Sequence, residues 1–354
     1  MSFRLHDPRQ WLTFVPQTLH ASPLYSEVWE HLKDDPELLE FVALVDTDQP
    51  LPITFFTGVN ALVLAEVQHP LARFYPFLHQ EEAPPLSEAY PCFREFVLAH
   101  SEQLRSLLPT ARLQTNEVTR CSNLLPAFCL AYQRGGNRPL NMIEIGSSAG
   151  LNLLWHRYCY HYGSVLMPED AVRGEQASPV HIHCQLGGLY LPSLPKMLPR
   201  VACCQGIELV PRNLHSEADM RWIRAAIWPE EQARHHLLDA AITLARQTPL
   251  HLHTGDACER LPELLAALPD DQTAVIWHSY ALHQGPMRVK EVIERQIEAA
   301  SHRLPIYRIS LEVVEASGPK LELMTYEKGA LVTREHLANC AIHGERMTWL
   351  LETR

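Results

Sequence analysis

The chain has 354 residues, of which 46% are hydrophobic and 20% charged, as is ordinary for a globular protein of one large or two smaller domains. Acidic residues outnumber basic ones by 41 to 30, the net charge is −11, and no Lys/Arg-rich run occurs, which argues against nucleic acid or an anionic membrane as a partner. The nine cysteines are scattered and form no C-x-x-C motif, which predicts reduced thiols. The first residues are polar and no apolar run reaches about 18 residues, so we predict a cytoplasmic protein without a membrane span.

Residues 1–135 carry apolar residues at helical spacing and show little of the alternation typical of strands. Segments 38–45 and 61–67 are examples, and a further helix is predicted at about 93–108, where Pro109 ends it. We therefore predict an all-helical N-terminal domain over residues 1–135 that caps the rest of the protein.

From residue 136 onward, predicted strands alternate with predicted helices, which favours a mainly parallel sheet. The predicted strands cover residues 141–145, 179–186, 201–209, 251–254, 273–277 and 306–314. The predicted helices cover residues 152–160, 216–247, 261–268 and 287–302, and a terminal hairpin is predicted to pair 321–326 with 347–351. The pattern indicates an α/β domain of Rossmann-like type over residues 136–354.

A glycine turn follows the first of these strands. Glu144, Gly146 and Gly150 form the pattern E-x-G-x-x-x-G, in which Ser148 replaces the middle glycine of the dinucleotide fingerprint. A pyrophosphate needs the close backbone approach that this glycine allows, whereas a nucleoside without phosphates does not. The turn therefore favours S-adenosylmethionine (SAM) over NAD.

Acidic residues follow three of the predicted strands, at Glu144, Glu208 and Asp256. A carboxylate after the second core strand can accept both ribose hydroxyls, which predicts that role for Glu208. Asp256, followed by Ala257, is placed to accept the adenine amino hydrogens. The alternative for each acid is a helix N-cap or a surface turn. The 64 residues from Glu144 to Glu208 exceed one βα unit, so an insertion is predicted at about 164–200.

These motifs resemble a bacterial family catalogued as a domain of unknown function. The match begins with the glycine turn and continues over most of the chain, in Ser-Pro-Leu-Tyr at 22–25, His-Pro-Leu-Ala at 69–72, Gln-Thr-Asn-Glu-Val at 114–118, Arg-Trp at 221–222 and Trp-Pro-Glu at 228–230. The resemblance implies a class I methyltransferase-like fold with an added helical N-terminal domain.

Within this neighbourhood, the chain is also similar to azetidine-2-carboxylate synthases, which cyclise SAM and release methylthioadenosine. Asn152 after the glycine turn and Tyr190 in the insertion suggest this branch. A SAM-dependent methyltransferase acting on a small molecule is the alternative, and a non-catalytic SAM-binding protein is a further one. The Asp/Asn-Pro-Pro-Tyr tetrapeptide of amino-methyltransferases is absent, which argues against methylation of nucleic-acid bases.

The predicted catalytic residues are Tyr190, Asn152, Glu117 and His278. Candidates to bind the amino and carboxylate groups of the ligand are Gln114, Asn116, Asn152 and Glu117. Arg120 is a candidate to pair with the ligand carboxylate, or else with Glu117 internally. An interdomain hydrogen-bond cluster is the alternative for residues 114–120. Tyr190 is a candidate to cover the sulfonium by a cation–π contact, or else packs on the sheet. His278, followed by Ser279 and Tyr280, is a candidate base, or else a histidine bonded to the backbone.

Two His-x-His pairs, His181 with His183 and His251 with His253, place both rings on one strand face. Neither pair comes with a second ligand pair at zinc-like spacing, so no metal site is predicted. A small-molecule ligand is the expected partner, and the sequence leaves a homodimer open.

Overall fold

The computed structural model describes residues 19, 21–79, 82–167, 171–283, 285–314 and 318–352. The polar segment 1–10 and residues 168–170 of the predicted insertion lie outside these residues. The chain is a mixed α/β protein that divides into two compact units. One contains the described residues up to Thr115 together with His215–His236, and the other contains Asn116–Leu214 and the described residues from Leu237 onward.

The first unit contains helices that begin at clear capping signals. They are α1 (Pro23–Leu32), α2 (Pro36–Val42), α3 (Leu51–Val63), α4 (Ala89–Ala99) and α5 (Ser101–Leu107), with short 3₁₀ helices at Pro70–Phe74, Leu86–Glu88 and Leu108–Thr110. The Ser22 hydroxyl caps α1 and donates to the carboxylate of Glu230 over 2.8 Å. The later chain segment His215–His236 is therefore hydrogen-bonded into this unit.

The remaining helices begin after residue 115. They are α6 (Arg120–Arg134), α7 (Glu217–Ala225), α8 (Gln232–Arg246), α9 (Ala257–Ala266) and α10 (Met287–Ala300), with a 3₁₀ helix at Leu151–Arg157. Ser216 caps α7 by accepting a hydrogen bond from the Asp219 amide. In the described part of the chain, no helix is long and apolar enough to cross a membrane.

In the described residues, the second unit is built on one large mixed sheet of eleven strands. They are β1 (Leu140–Ile145), β2 (Cys159–Gly163), β3 (Ala171–Gly174), β4 (His181–Gly187), β5 (Val201–Glu208), β6 (His251–Thr254), β7 (Thr273–Ser279), β8 (Ile306–Val314), β9 (Gly318–Glu327), β10 (Ala330–Cys340) and β11 (Arg346–Trp349). Their order across the sheet is β3-β2-β4-β11-β10-β9-β8-β7-β1-β5-β6.

Five of these strands, β6-β5-β1-β7-β8, pair in parallel. Along the chain they follow the sequence β1, β5, β6, β7, β8, so the order of strands reverses at β1. Ile143 and Ile145 of β1 pack with α9 and α10 on one face of the sheet. On the other face Phe128 of α6 lies with its ring centre 5.4 Å from that of Trp277. The carboxyl ends of β1, β5 and β7 therefore share one edge, covered on both faces by helices.

Three sequence-predicted elements differ from the structure. The helix expected at 152–160 is a 3₁₀ helix followed by β2, because the Cys-Tyr-His-Tyr segment suits a strand. The helical region 216–247 is interrupted around Trp228-Pro229, since proline cannot continue a helix. Residues 321–326 do not pair with 347–351, because β10 lies between them. Six of the eleven residues of β10 are exposed, and its sequence shows no regular apolar alternation.

Candidate functional site

The glycine turn joins the end of β1 to the end of β5. The amides of Gly146 and Ser147 donate to the carbonyl of Ile207 over 2.9 and 3.3 Å. Gly146 has a φ of +80°, and a Cβ at this position would lie 2.4 Å from the Cβ of Ala281. Only glycine fits here, because the position combines a left-handed backbone with a close neighbour.

Glu208 holds the turn from the end of β5. Its Oε2 accepts the Ser148 amide over 2.8 Å, and its Oε1 accepts the Val210 amide over 3.4 Å. Ser148 has a φ of +53°, which is uncommon for a residue other than glycine. The carboxylate thus stabilises a strained turn.

Asn116 holds the second half of the same turn. Its Oδ1 accepts the amides of Ala149 and Leu151 over 3.2 and 3.1 Å, and the side chain is buried. Asn152 is also buried, and the Sγ of Cys121 donates to its Oδ1 over 3.5 Å. Asn116 and Asn152, two of the candidate ligand-binding amides, therefore lie at the turn.

Glu144 is the buried acid of the site. It is only 2% exposed, and burial together with the nearby Glu208 carboxylate raises its pKa well above the ordinary value. Burial and the same Glu144 carboxylate raise the pKa of the Cys121 thiol. Both shifts favour the neutral forms of these groups.

Unsatisfied polar atoms gather at this edge of the sheet. Of the ten buried side-chain oxygens without a hydrogen-bond partner in the described residues, five belong to Glu144, Ser147, Ser148, Ser279 and Tyr280. The first three belong to the end of β1 and the turn after it, and the last two follow Trp277 and His278 at the end of β7. Buried polar atoms in proteins are nearly all hydrogen-bonded, so such a group marks a candidate place for a polar ligand.

Arg120 and Tyr280 form a cation–π pair at the same edge. The Cζ of Arg120 lies 3.8 Å from the ring centre of Tyr280, and its Nε donates to the carbonyl of Ile342 over 3.3 Å. Tyr280 has a φ of +57° and a pKa raised by burial. Glu117 lies nearby, where its Oε1 accepts the Thr119 amide over 3.2 Å. A cation, an acid and an aromatic face are thus present together.

His278 belongs to a buried network behind this edge. Its Nδ1 lies 2.5 Å from the Oε1 of Glu312, and Arg308 donates to its Nε2 over 3.2 Å. Because a guanidinium can only donate, we assign the proton to Nδ1 and a neutral ring, in line with a pKa lowered by burial. Both ring nitrogens are bonded, so in this arrangement His278 has no nitrogen available as a base.

Glu312, which sequence reasoning missed, fixes the loop that carries Tyr280. Its carboxylate accepts the amides of Ala281, Leu282 and His283 over 3.1–3.2 Å, as well as the Nδ1 of His283 over 2.8 Å. The side chains of His278 and His283 hold the pKa of Glu312 well below the ordinary value despite burial. An acid inside an otherwise apolar strand segment was the available sequence signal.

The other predicted site residues follow β6, follow β4 or belong to the first unit. Asp256 is the N-cap of α9, which starts at Ala257, and accepts the Cys258 amide over 2.8 Å. Tyr190 is 38% exposed in the loop after β4, and in the described sheet five strands lie between β4 and β1. Gln114 is partly exposed and belongs to the first unit.

Comparisons with known proteins give a family. No curated protein and no solved structure matches the chain at a significant level. The profile of a family described as "Uncharacterized protein conserved in bacteria (DUF2332)" matches residues 16–349, nearly the whole length. The chain therefore belongs to the DUF2332 family of bacterial proteins.

Proposed function

We propose that this protein is a SAM-consuming enzyme whose ligand binds at the edge formed by the ends of β1, β5 and β7. The observation that carries the proposal is the group of unsatisfied buried oxygens on Glu144, Ser147, Ser148, Ser279 and Tyr280. In open α/β sheets, ligands bind outside the carboxyl ends of strands where the strand order reverses. Here that reversal occurs at β1, which carries the first of these groups.

The strand order supports a Rossmann-like reading of the parallel part of the sheet. The five parallel strands, numbered as they occur in the chain, lie in the order 3-2-1-4-5, as in doubly wound nucleotide-binding folds. The turn after β1 has Ser148 in place of the middle glycine, which suits a nucleoside without a pyrophosphate. This combination favours SAM among adenosine-containing ligands.

In the proposed complex, Glu208 accepts the ribose hydroxyls, since a carboxylate can accept several hydrogen bonds. Asp256 and the Ala257 amide are assigned to the adenine, by position after β6. The amino acid part of SAM is assigned to Asn152, Glu117 and the amide nitrogen of Asn116. Arg120 pairs with the ligand carboxylate, because a guanidinium matches a carboxylate in charge and geometry.

The reaction that we propose is cyclisation of SAM to azetidine-2-carboxylate. The neutral α-amine attacks the side-chain carbon bonded to sulfur, the C–S bond breaks, and its electron pair stays on sulfur in methylthioadenosine. The ring nitrogen keeps both hydrogens as an ammonium group, and the proton that the substrate ammonium loses before the attack goes to solvent. A free α-amine has a pKa of about 7.7–8.0, and a dry pocket lowers it further, so the step needs positioning more than a strong base.

The state of His278 favours cyclisation over methyl transfer to a second substrate. Methyl transfer to a hydroxyl or ammonium group commonly needs a base for the acceptor, and both nitrogens of His278 are occupied. The aromatic face proposed for the sulfonium is Tyr280, in the site, or Tyr190, which the sequence predicts. Methyl transfer to a small molecule stays the alternative that the following experiment distinguishes.

The test is incubation of the purified chain with SAM alone, followed by mass spectrometry. Methylthioadenosine and a cyclic amino acid in equal amounts are expected, above the rate without protein. The Glu208→Gln variant should lose turnover, whereas Glu263→Gln, which changes an exposed glutamate of α9, should keep it. Adenosylhomocysteine formed only after acceptors are added would instead indicate a methyltransferase. Absence of SAM binding by calorimetry would refute the proposal as a whole.

A further inference from the structure

A second group of chemically reactive side chains lies on β2 and β4, away from the glycine turn. These strands pair in parallel, with Cys159 opposite His181 and His161 opposite His183. Because alternate residues of a strand share a face, all four side chains belong to one face of the sheet. The opposite face of β2 carries the buried rings of Tyr160 and Tyr162.

The donor atoms of three of these residues converge. The Sγ of Cys159, the Nε2 of His161 and the Nδ1 of His181 all lie within 4.8 Å of one another. The Sγ is 3.6 Å from the Nε2 of His161, which is 2.9 Å from the Nδ1 of His181. Cys159 is buried, His161 is half-buried and His181 is exposed, so the cluster opens to solvent on one side.

These distances are close to those of a tetrahedral zinc site. With Zn–S bonds of about 2.3 Å and Zn–N bonds of about 2.0–2.1 Å, tetrahedral geometry separates S and N by about 3.6 Å and two N atoms by about 3.3 Å. The observed S···N distance already fits. The N···N distance must open by about 0.4 Å, which rotation of the exposed His181 ring can supply.

We propose that Cys159, His161 and His181 bind one divalent transition-metal ion of the zinc class. One thiolate and two imidazoles are the donors that zinc and its neighbours prefer, whereas magnesium and calcium prefer oxygen. Binding removes the thiol proton of Cys159 and the proton shared by His161 and His181, and both go to solvent. The fourth position belongs to water or to His183, whose ring centre is 4.5 Å from that of His161.

The experiment uses the full chain without an affinity tag, stripped with a chelator and titrated with Zn²⁺ and with Co²⁺. Binding of one ion per chain is expected, with a sulfur-to-cobalt charge-transfer band. The matched control is His251→Gln, which removes a histidine from the other exposed His-x-His pair and should leave binding unchanged.

Cys159→Ser should abolish the charge-transfer band. His181→Gln should weaken binding at least about tenfold, since even outer-shell partners of metal ligands are worth that much. His181 is exposed, so its replacement leaves the fold intact and keeps the test valid if the Cys159 variant unfolds. No saturable binding, or equal binding by the parent chain and His181→Gln, would overturn the proposal. Neither result bears on SAM turnover.

Discussion

The amide of Ser148 donates to the carboxylate of Glu208 over 2.8 Å, which links the turn after β1 to the end of β5. The two residues are 60 positions apart in the chain. The acid that the sequence assigns to the ribose therefore also shapes the turn on which the ligand is proposed to lie. Binding and local stability should change together when it is altered.

Replacing Glu208 by glutamine should lower both the free energy of unfolding and the affinity for SAM. The amide oxygen can still accept one amide hydrogen, but the charge is lost, and a hydrogen bond to a charged group is worth about 1.5–3 kcal/mol. Urea unfolding and calorimetric titration of SAM would measure the two effects. Glu263→Gln, at an exposed position, should change neither. Unchanged SAM affinity in Glu208→Gln would remove this residue from the binding site.

Gly146→Ala should be more destabilising than alanine at another left-handed glycine. Gly136 has a φ of +73° with open space around its Cβ position, so Gly136→Ala measures the backbone cost alone, about 1–2 kcal/mol. Gly146→Ala adds the 2.4 Å approach to Ala281, and overpacking costs a further ~1–3 kcal/mol. The double variant Gly146→Ala/Ala281→Gly removes the close contact but keeps the left-handed alanine, so it should recover only the overpacking part of the lost stability. Equal unfolding free energies for the two single variants would contradict this account.

Much of this edge of the sheet could be predicted from the sequence, because it depends on local signals. The buried apolar run predicts a strand at 141–145, and the structure has Leu140–Ile145. Gly146 and Gly150 both have positive φ, as a glycine turn requires. The contact between Asn116 and the turn depends instead on long-range packing. The register that sets Cys159 opposite His181 likewise cannot be predicted from the sequence, because it depends on how β2 and β4 pair.

Glu144→Gln should stabilise the protein increasingly as the pH rises. The pKa of Glu144 is raised in the folded state, so the native protein keeps a proton that the unfolded chain releases above the ordinary value of 4.5. The free energy of unfolding of the parent chain therefore falls as the pH rises above 4.5. Glutamine cannot ionise, so the variant does not show this fall. Urea unfolding of both proteins at about pH 5 and about pH 8 measures the difference. A stability difference between variant and parent that does not change with pH would show that Glu144 is ionised in the folded state.

Glu312→Gln should show the opposite pH dependence. The folded-state pKa of Glu312 is lowered, so its contribution is complete well above the ordinary value of 4.5 and disappears as the pH falls below it. At neutral pH we expect a loss of about 3 kcal/mol or more, because several hydrogen bonds to a charged group, each worth about 1.5–3 kcal/mol, are weakened together. The difference from the parent chain should shrink on acidification. A constant difference across the acid range would contradict the assigned charge.

Replacing the two candidate aromatic residues tests which ring faces the sulfonium. Tyr280→Leu should reduce turnover of SAM by up to about thirtyfold, the equivalent of a ~2 kcal/mol cation–π contact, and Tyr190→Ala should reduce it as well. The phenylalanine variants keep both rings and should keep most of the rate, since the ring face carries the interaction. Rates with SAM alone, measured by methylthioadenosine release, separate the residues. An unchanged rate in Tyr190→Ala would leave Tyr280 as the ring that faces the sulfonium. The ring centre of Tyr280 already lies 3.8 Å from the Cζ of Arg120.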